Sequence, residues 1–281
     1  MKKSVLLSIK YKLEYAVFLF LCSMIRLVSL DKASYICGKI LRFIGPYLKV
    51  TKIAKKNIRI VYPTITEKKE EKLIKNIWQN FGQFLGEFAH IHYLNKKEIE
   101  RRVKIEGMEN LPNKPFILLT GHFSNWEFVL MLMTKLYPKF AVMYRKANNP
   151  IVNARLNTLR KMSGCELIEK FTDMKKLFRV VKENYAICIL ADQKMNDGIE
   201  SIFFGKKAMS TDSVSRISFK FNYPIIPVQI IRTKGVNFRV VIHPEIKELG
   251  NIEDDTRKIN KIFERWILEF PDQWFWFHNR W

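Results

Sequence analysis

The sequence predicts an α/β fold, with a mixed, largely parallel sheet flanked by helices and an N-terminal helical segment that anchors the chain to a membrane. Three observations predict it. Beyond residue 115, short apolar runs alternate with amphipathic stretches, the pattern of strands joined by crossover helices. The runs at 116–119 and 185–191 are too short and too continuously apolar for helices and read as buried strands. At the other end, Lys2, Lys3, Lys10 and Lys12 precede an apolar run at 15–25, which Arg26 interrupts before residues 27–30 continue it. That run is short of the roughly 20 apolar residues a full span needs. It therefore reads as a retained anchor, either tilted across the bilayer or lying in its interface.

The 281 residues, 48% of them hydrophobic, suffice for one substantial core near the upper size of a single domain. We expect an anchor over residues 1–30 and one domain over 31–281, with a helical, membrane-facing part at 31–100 and an α/β core at 101–281. Lys and Arg outnumber Asp and Glu 49 to 27, a formal charge of +22. Such a surface seeks polyanions: nucleic acid, an anionic bilayer, phosphorylated lipid or an acidic carrier protein. Cys22, Cys37, Cys165 and Cys188 have no paired spacing, which argues against a zinc site or disulfide framework and fits a reducing compartment. His90 and His92 are two apart on a helix and face different ways, so no metal site is expected.

Taken in order, residues 31–44 and 47–62 read as two helices, stopped by Gly45-Pro46 and by Pro63. Their Lys and Arg residues are interleaved with Ile, Leu and Phe, as on a membrane-facing surface. Residues 64–94 form one long helix, because Leu73, Ile74, Ile77, Phe81, Phe84, Leu85 and Phe88 recur at three- and four-residue steps. After the strand at 116–119 come a helix from 124, a strand at 140–144, a helix at 151–162, a strand at 165–168, a helix at 172–184 and the strand at 185–191. A helix at 212–221, strands at 225–231 and 238–242 and a helix at 253–270 complete the pattern.

Chemistry concentrates where the first buried strand ends, at Gly121-His122-Phe-Ser-Asn125-Trp-Glu127. Ser124-x-x-Glu127 has the form of a capping box, so His122 precedes a helix N-terminus and Glu127 sits in its first turn. First-turn side chains lean back, and the Glu127 carboxylate can reach either the Ser124 backbone N–H or the His122 ring. The helix terminus favours a neutral ring able to accept a proton, and its free N–H groups suit an oxyanion.

This block resembles the His-x4-Asp/Glu block of glycerolipid and lipid A acyltransferases. Its Asn-Trp-Glu form is most similar to the late lipid A acyltransferases, which move a fatty acyl chain from acyl carrier protein onto a Kdo-bearing lipid A precursor. Other segments fall in the same order. Residues 55–63, ending in Tyr62-Pro63, resemble the Asn-rich stretch before the family's long helix. Tyr144-Arg145-Lys146-Ala-Asn-Asn149-Pro150 resembles the second block, in which an Arg holds a phosphate or polar head of the acceptor, as its planar fork suits. Asp192-Gln193 resembles an Asp with a polar partner, and Phe203-Phe204-Gly205 the aromatic segment after it. Pro227 resembles the fourth, structural block, and Trp274-x-Trp276-x-His278-x-Arg280 the terminal segment. Arg155 and Arg160 could add to the basic patch at Arg145 but read rather as surface charges of the helix after Pro150.

The resemblance implies a membrane-associated O-acyltransferase on the cytoplasmic face of the inner membrane, with His122 as general base and Glu127 orienting its ring. Asn125, Arg145, Asn149, Asp192, Gln193 and Gly205 are its expected substrate-binding residues. Acyl carrier protein is the expected donor, a lipid A precursor the acceptor, and an anionic membrane the site of action. No cofactor, metal or nucleic acid is required. A same-fold enzyme acting on a lysophospholipid or glycolipid is the alternative. A basic nucleic-acid-binding protein is more distant, since no helix-turn-helix, zinc-finger or RNP pattern is present.

Overall fold

The computed structural model describes residues 2–170 and 173–281. The α-helices are α1 (Lys2–Arg26), α2 (Leu30–Ile44), α3 (Thr51–Val61), α4 (Glu67–Ile91), α5 (Lys96–Arg102), α6 (Trp126–Leu136), α7 (Pro150–Met162), α8 (Met174–Lys182), α9 (Ser213–Phe221) and α10 (Ile252–Glu269). The strands are β1 (Val103–Glu106), β2 (Ile117–Thr120), β3 (Phe140–Tyr144), β4 (Glu166–Glu169), β5 (Ala186–Leu190), β6 (Ile199–Phe203), β7 (Lys206–Ser210), β8 (Ile225–Lys234) and β9 (Asn237–Ile242). The expected helix start at Thr172 lies outside the described residues.

Seven strands form one sheet in the order β1-β9-β8-β2-β5-β3-β4, and β8–β9 is its antiparallel pair. All other pairings in it are parallel, which is the mixed, largely parallel sheet the alternating pattern implies. Strand β2 sits between β5 and β8, and its four residues are all buried, as a central parallel strand requires. The polypeptide leaves β2 through α6 and returns as β3 on the far side of β5. The loops after β2, β3 and β5 therefore meet at one end of the sheet, where open α/β folds place ligands.

A layer of helices covers one face. Helix α4 buries Ile74, Ile77, Trp78 and Phe84 toward the core and packs closely on α2. A Cβ at Gly82 would come within 2.4 Å of the Cys37 carbonyl oxygen, and one at Gly86 within 2.5 Å of that of Ala33. Only glycine permits this contact.

Two expectations need correction. The anchor over residues 1–30 does not appear as a span, because no helix among the described residues is long and apolar enough to cross a membrane. Lys10, Lys12 and Glu14 on one side and Arg26 on the other leave the apolar run of α1 too short, and the helix packs against α4 and α7. Asn149 Nδ2 donates to the Tyr11 carbonyl (2.9 Å) and to Glu14 Oε2 (2.9 Å), and His90 Nε2 lies 3.2 Å from the Ile25 carbonyl oxygen. The second correction is the β6–β7 hairpin, which the sequence reading passed over. Its two-residue turn is Phe204-Gly205, both at positive φ (49° and 70°), as a tight hairpin turn demands.

Candidate active site

The site starts where β2 runs out. Gly121 lets the chain pass against the next loop: a Cβ there would meet Phe123 Cε2 at 2.9 Å and Asp192 Cγ at 3.1 Å. The loop is then stitched to the C-terminal segment. Ser124, at φ 47°, donates its N–H to the Gln273 carbonyl (2.7 Å), Phe275 N–H donates to the His122 carbonyl (2.9 Å), and Phe123 pairs with Trp274 as an isolated antiparallel bridge. The expected capping box is therefore not formed. The Ser124 N–H that Glu127 was to accept is already committed to Gln273, and Asn125 is the N-cap of α6 without a side-chain capping bond.

The carboxylate on the His122 ring is Asp192, not Glu127. Asp192 follows β5, is fully buried, and places Oδ1 2.7 Å from His122 Nδ1, while its Oδ2 accepts from the His122 N–H (3.0 Å) and from Trp274 Nε1–H (2.7 Å). Burial alone pushes the Asp192 carboxyl up, but the charge that the His122 ring carries when protonated, together with the hydrogen bonds from His122, outweighs it and holds the group well below the usual carboxylate range. An ionised Asp192 can only accept, so Nδ1 carries the proton and Nε2 is left to accept one. Beneath the pair lies His278, which burial pushes down to about 4 and so keeps neutral.

Glu127 faces the other way, for a definite reason. Its two oxygens are taken by Arg160 of α7, with Nη2 at 2.5 Å and Nε at 3.3 Å. Burial raises the Glu127 carboxyl, but the guanidinium overcomes this and holds it down. Arg160 is thus no surface charge of α7. Helical spacing could have flagged it: Asn153, Asn157 and Arg160 share one inward stripe, on which Asn153 is buried and Asn157 Nδ2 donates to the Tyr144 hydroxyl (2.8 Å).

His122 and Arg160 both line a cavity of about 390 Å³. Leu130, Val142 and Ile189 give it an apolar depth, and Arg145, Lys146, Lys170 and Lys194 a basic rim. Burial pushes the Lys170 ammonium down to about 8, and it donates to Thr211 Oγ1 at 2.6 Å. The cavity can thus receive an apolar chain below and anions above, with a histidine between.

Of the other expected residues, Arg145 and Gln193 line this cavity. Three do not. Asn125 is buried with its Nδ2 donating to Glu87 Oε2 (2.8 Å), in a cluster where Glu87 also pairs with Arg232 (2.5 Å). Asn149 caps α7 by accepting from the Ile151 and Val152 N–H groups (2.9 and 3.2 Å), leaving neighbouring Asn148 on the cavity wall. Gly205 is spent on the hairpin turn. Sequence reasoning missed Lys170 and the Trp274 bond to Asp192, and it set Arg160 aside as a surface charge.

The whole chain, residues 1–281, matches the sequence profile of the bacterial lipid A biosynthesis acyltransferases. The chain belongs to that family. It is 23% identical over 246 residues to a lipid A biosynthesis palmitoleoyltransferase of Escherichia coli K12, covering 84% of this chain and 80% of that one. It is likewise 23% identical over 241 residues to an E. coli K12 lipid A biosynthesis lauroyltransferase (82% and 78% covered). A Haemophilus influenzae lipid A biosynthesis acyltransferase is 21% identical over 271 residues (92% and 83%). Membership makes this protein an acyltransferase of lipid A biosynthesis.

Proposed function

We propose that this lipid A acyltransferase transfers a fatty acyl chain from the thioester of acyl carrier protein to a hydroxyl of a Kdo-bearing lipid A precursor. His122 is its general base. The acceptor hydroxyl gives its proton to His122 Nε2 as its oxygen attacks the thioester carbonyl. Collapse of the tetrahedral intermediate forms the ester and expels the carrier thiolate, which takes the proton back from the ring. Asp192 orients the ring through Nδ1 and stabilises its charged form, as the carboxylate of a triad does. The observation that carries this reading is the 2.7 Å contact between His122 Nδ1 and Asp192 Oδ1 at the wall of the cavity.

Glu127 acts with Arg160. Their ion pair holds a guanidinium at the cavity wall, where with Arg145 and Lys170 it can meet phosphate or carboxylate groups of the acceptor. The apolar depth takes the acyl chain. Helices α1 and α2 expose Leu13, Val17, Phe20, Ile36, Ile40 and Phe43 among lysines, which supports seating on an anionic bilayer at the cytoplasmic face of the inner membrane. The test is to offer acyl carrier protein thioester and lipid A precursor to wild type and to His122→Ala: equal turnover removes the base.

A further inference from the structure

The two faces of the sheet carry unlike surfaces. Side chains alternate along a strand, so Pro227 and Arg232 of β8, an odd number of residues apart, project from opposite faces. Arg232 meets Glu87 of α4 (2.5 Å), and Glu87 accepts from Ser34 of α2 (2.6 Å), so that face carries the helices with exposed apolar residues. Pro227 instead lines a groove of about 460 Å³ beneath α10.

This second groove is built from cations over an apolar floor. Arg257, Lys261 and Arg265, at i, i+4 and i+8 of α10, stack as one row, and Lys258 stands beside it. Trp266, Ile262 and Ile246 form the floor, and no residue lining the groove is acidic. The His243 ring stacks on Trp266 at 5.5 Å, with its buried Nε2 lacking a hydrogen-bond partner. Some of the charge is answered locally: Lys261 pairs with Glu264 (2.6 Å) and Lys258 donates to the Glu248 carbonyl. Arg257 and Arg265 are exposed along the row.

We propose that this groove docks an acidic amphipathic helix of a soluble protein, the carrier that delivers the acyl thioester. The inference rests on the donor named above. Cations one turn apart match carboxylates spaced likewise on a partner helix, and the floor takes that helix's apolar side. A bilayer would meet the opposite face of the sheet, where α1 and α2 lie. The Trp266 end of the groove contacts Phe123, next to His122, edge to face at 5.9 Å. A carrier seated there is held one aromatic layer from the catalytic loop.

The test is the full-length triple variant Arg257→Glu/Lys261→Glu/Arg265→Glu, with Arg265→Gln as a milder companion that keeps the fold. KM for the acyl carrier protein thioester, Kd for the carrier protein and binding to vesicles containing phosphatidylglycerol are measured. We expect KM and Kd to rise at least tenfold in the triple variant and two- to threefold in Arg265→Gln, with kcat and vesicle binding unchanged. Unchanged KM and Kd in both variants overturn the docking surface. So does a fall in vesicle binding that accounts for the lost activity, which would make the groove a membrane contact. If wild type itself neither binds carrier protein nor turns over its thioester, the donor reading fails first and takes this inference with it.

Discussion

The start of α6 and the loop after β5 each bring a buried carboxylate behind a side chain that lines the cavity, and they neutralise it differently. Glu127, five residues from His122 in sequence, is paired with a guanidinium from α7. Asp192, seventy residues away, holds the imidazole and is itself held by an indole from the C-terminal segment. The difference teaches that closeness along the chain does not decide which carboxylate holds the histidine ring; adjacency of strands in the sheet does. Strands β2 and β5 are neighbours in register, with Thr120 opposite Leu190, so the residues just past their ends must meet.

The largest expected effect is shared ground for both carboxylates. His122→Ala should lower kcat about 10³-fold, read from single-turnover formation of acylated lipid, because it removes the group both could serve. Next comes the variant pair that separates them. Asp192→Asn should cost roughly 10²-fold in kcat with little change in KM. Glu127→Gln, by leaving Arg160 beside an uncharged partner, should cost about 3 kcal/mol of stability, the low end for a broken buried pair because Arg160 keeps some solvent contact. Thermal melting together with kinetics decides the matter: a kcat loss in Glu127→Gln as deep as that in Asp192→Asn, at full stability, would return the orienting role to Glu127.

A finer contrast lies within the C-terminal segment. Trp274 and Trp276 are both buried and both donate an indole N–H, one to Asp192 Oδ2 (2.7 Å) and the other to the Pro271 carbonyl (2.6 Å). Trp274→Phe removes a bond to a charged acceptor, worth about 2 kcal/mol, and should lower kcat roughly tenfold. Trp276→Phe should lose stability without that loss of rate; equal kinetics in the two variants would show the tail to be a structural strap only. The smallest effect is on pH. Because the Asp192 carboxyl is depressed in the folded state, its contribution is fully present above about pH 4, the unfolded carboxylate range, and is lost as pH falls toward the folded value. The stability gap between wild type and Asp192→Asn, measured by urea unfolding, should therefore be constant above about pH 5 and shrink below pH 4.

Much of the architecture was legible because it is written in local periodicity. The buried runs of β2 and β5, the long stripe of α4 and the breaks at Pro63 and Pro150 each declare themselves within a dozen residues. What escaped depends on distant partners. The β6–β7 hairpin has a mixed polar sequence and is held by Asn260 of α10, whose Nδ2 donates to the Ile202 carbonyl (3.1 Å). Ser124-x-x-Glu127 looks like a capping box until Gln273, far along the chain, takes the N–H it needs. Arg160 looks like one of many surface cations because the polar stripe it shares with Asn153 and Asn157 does not name Glu127 as its partner. His122 could be found from its neighbours; its true partner could be found only from the order of strands.

The stitching of the His122 loop to residues 273–275 separates two parts that could otherwise drift together. The proposed base and its carboxylate are fastened by β2, β5 and the tail, whereas the rim is furnished by the loops after β3, β4 and β5 and by α7. Descendants of this scaffold can therefore trade rim residues and acquire new acceptors while the histidine–aspartate pair stays in place.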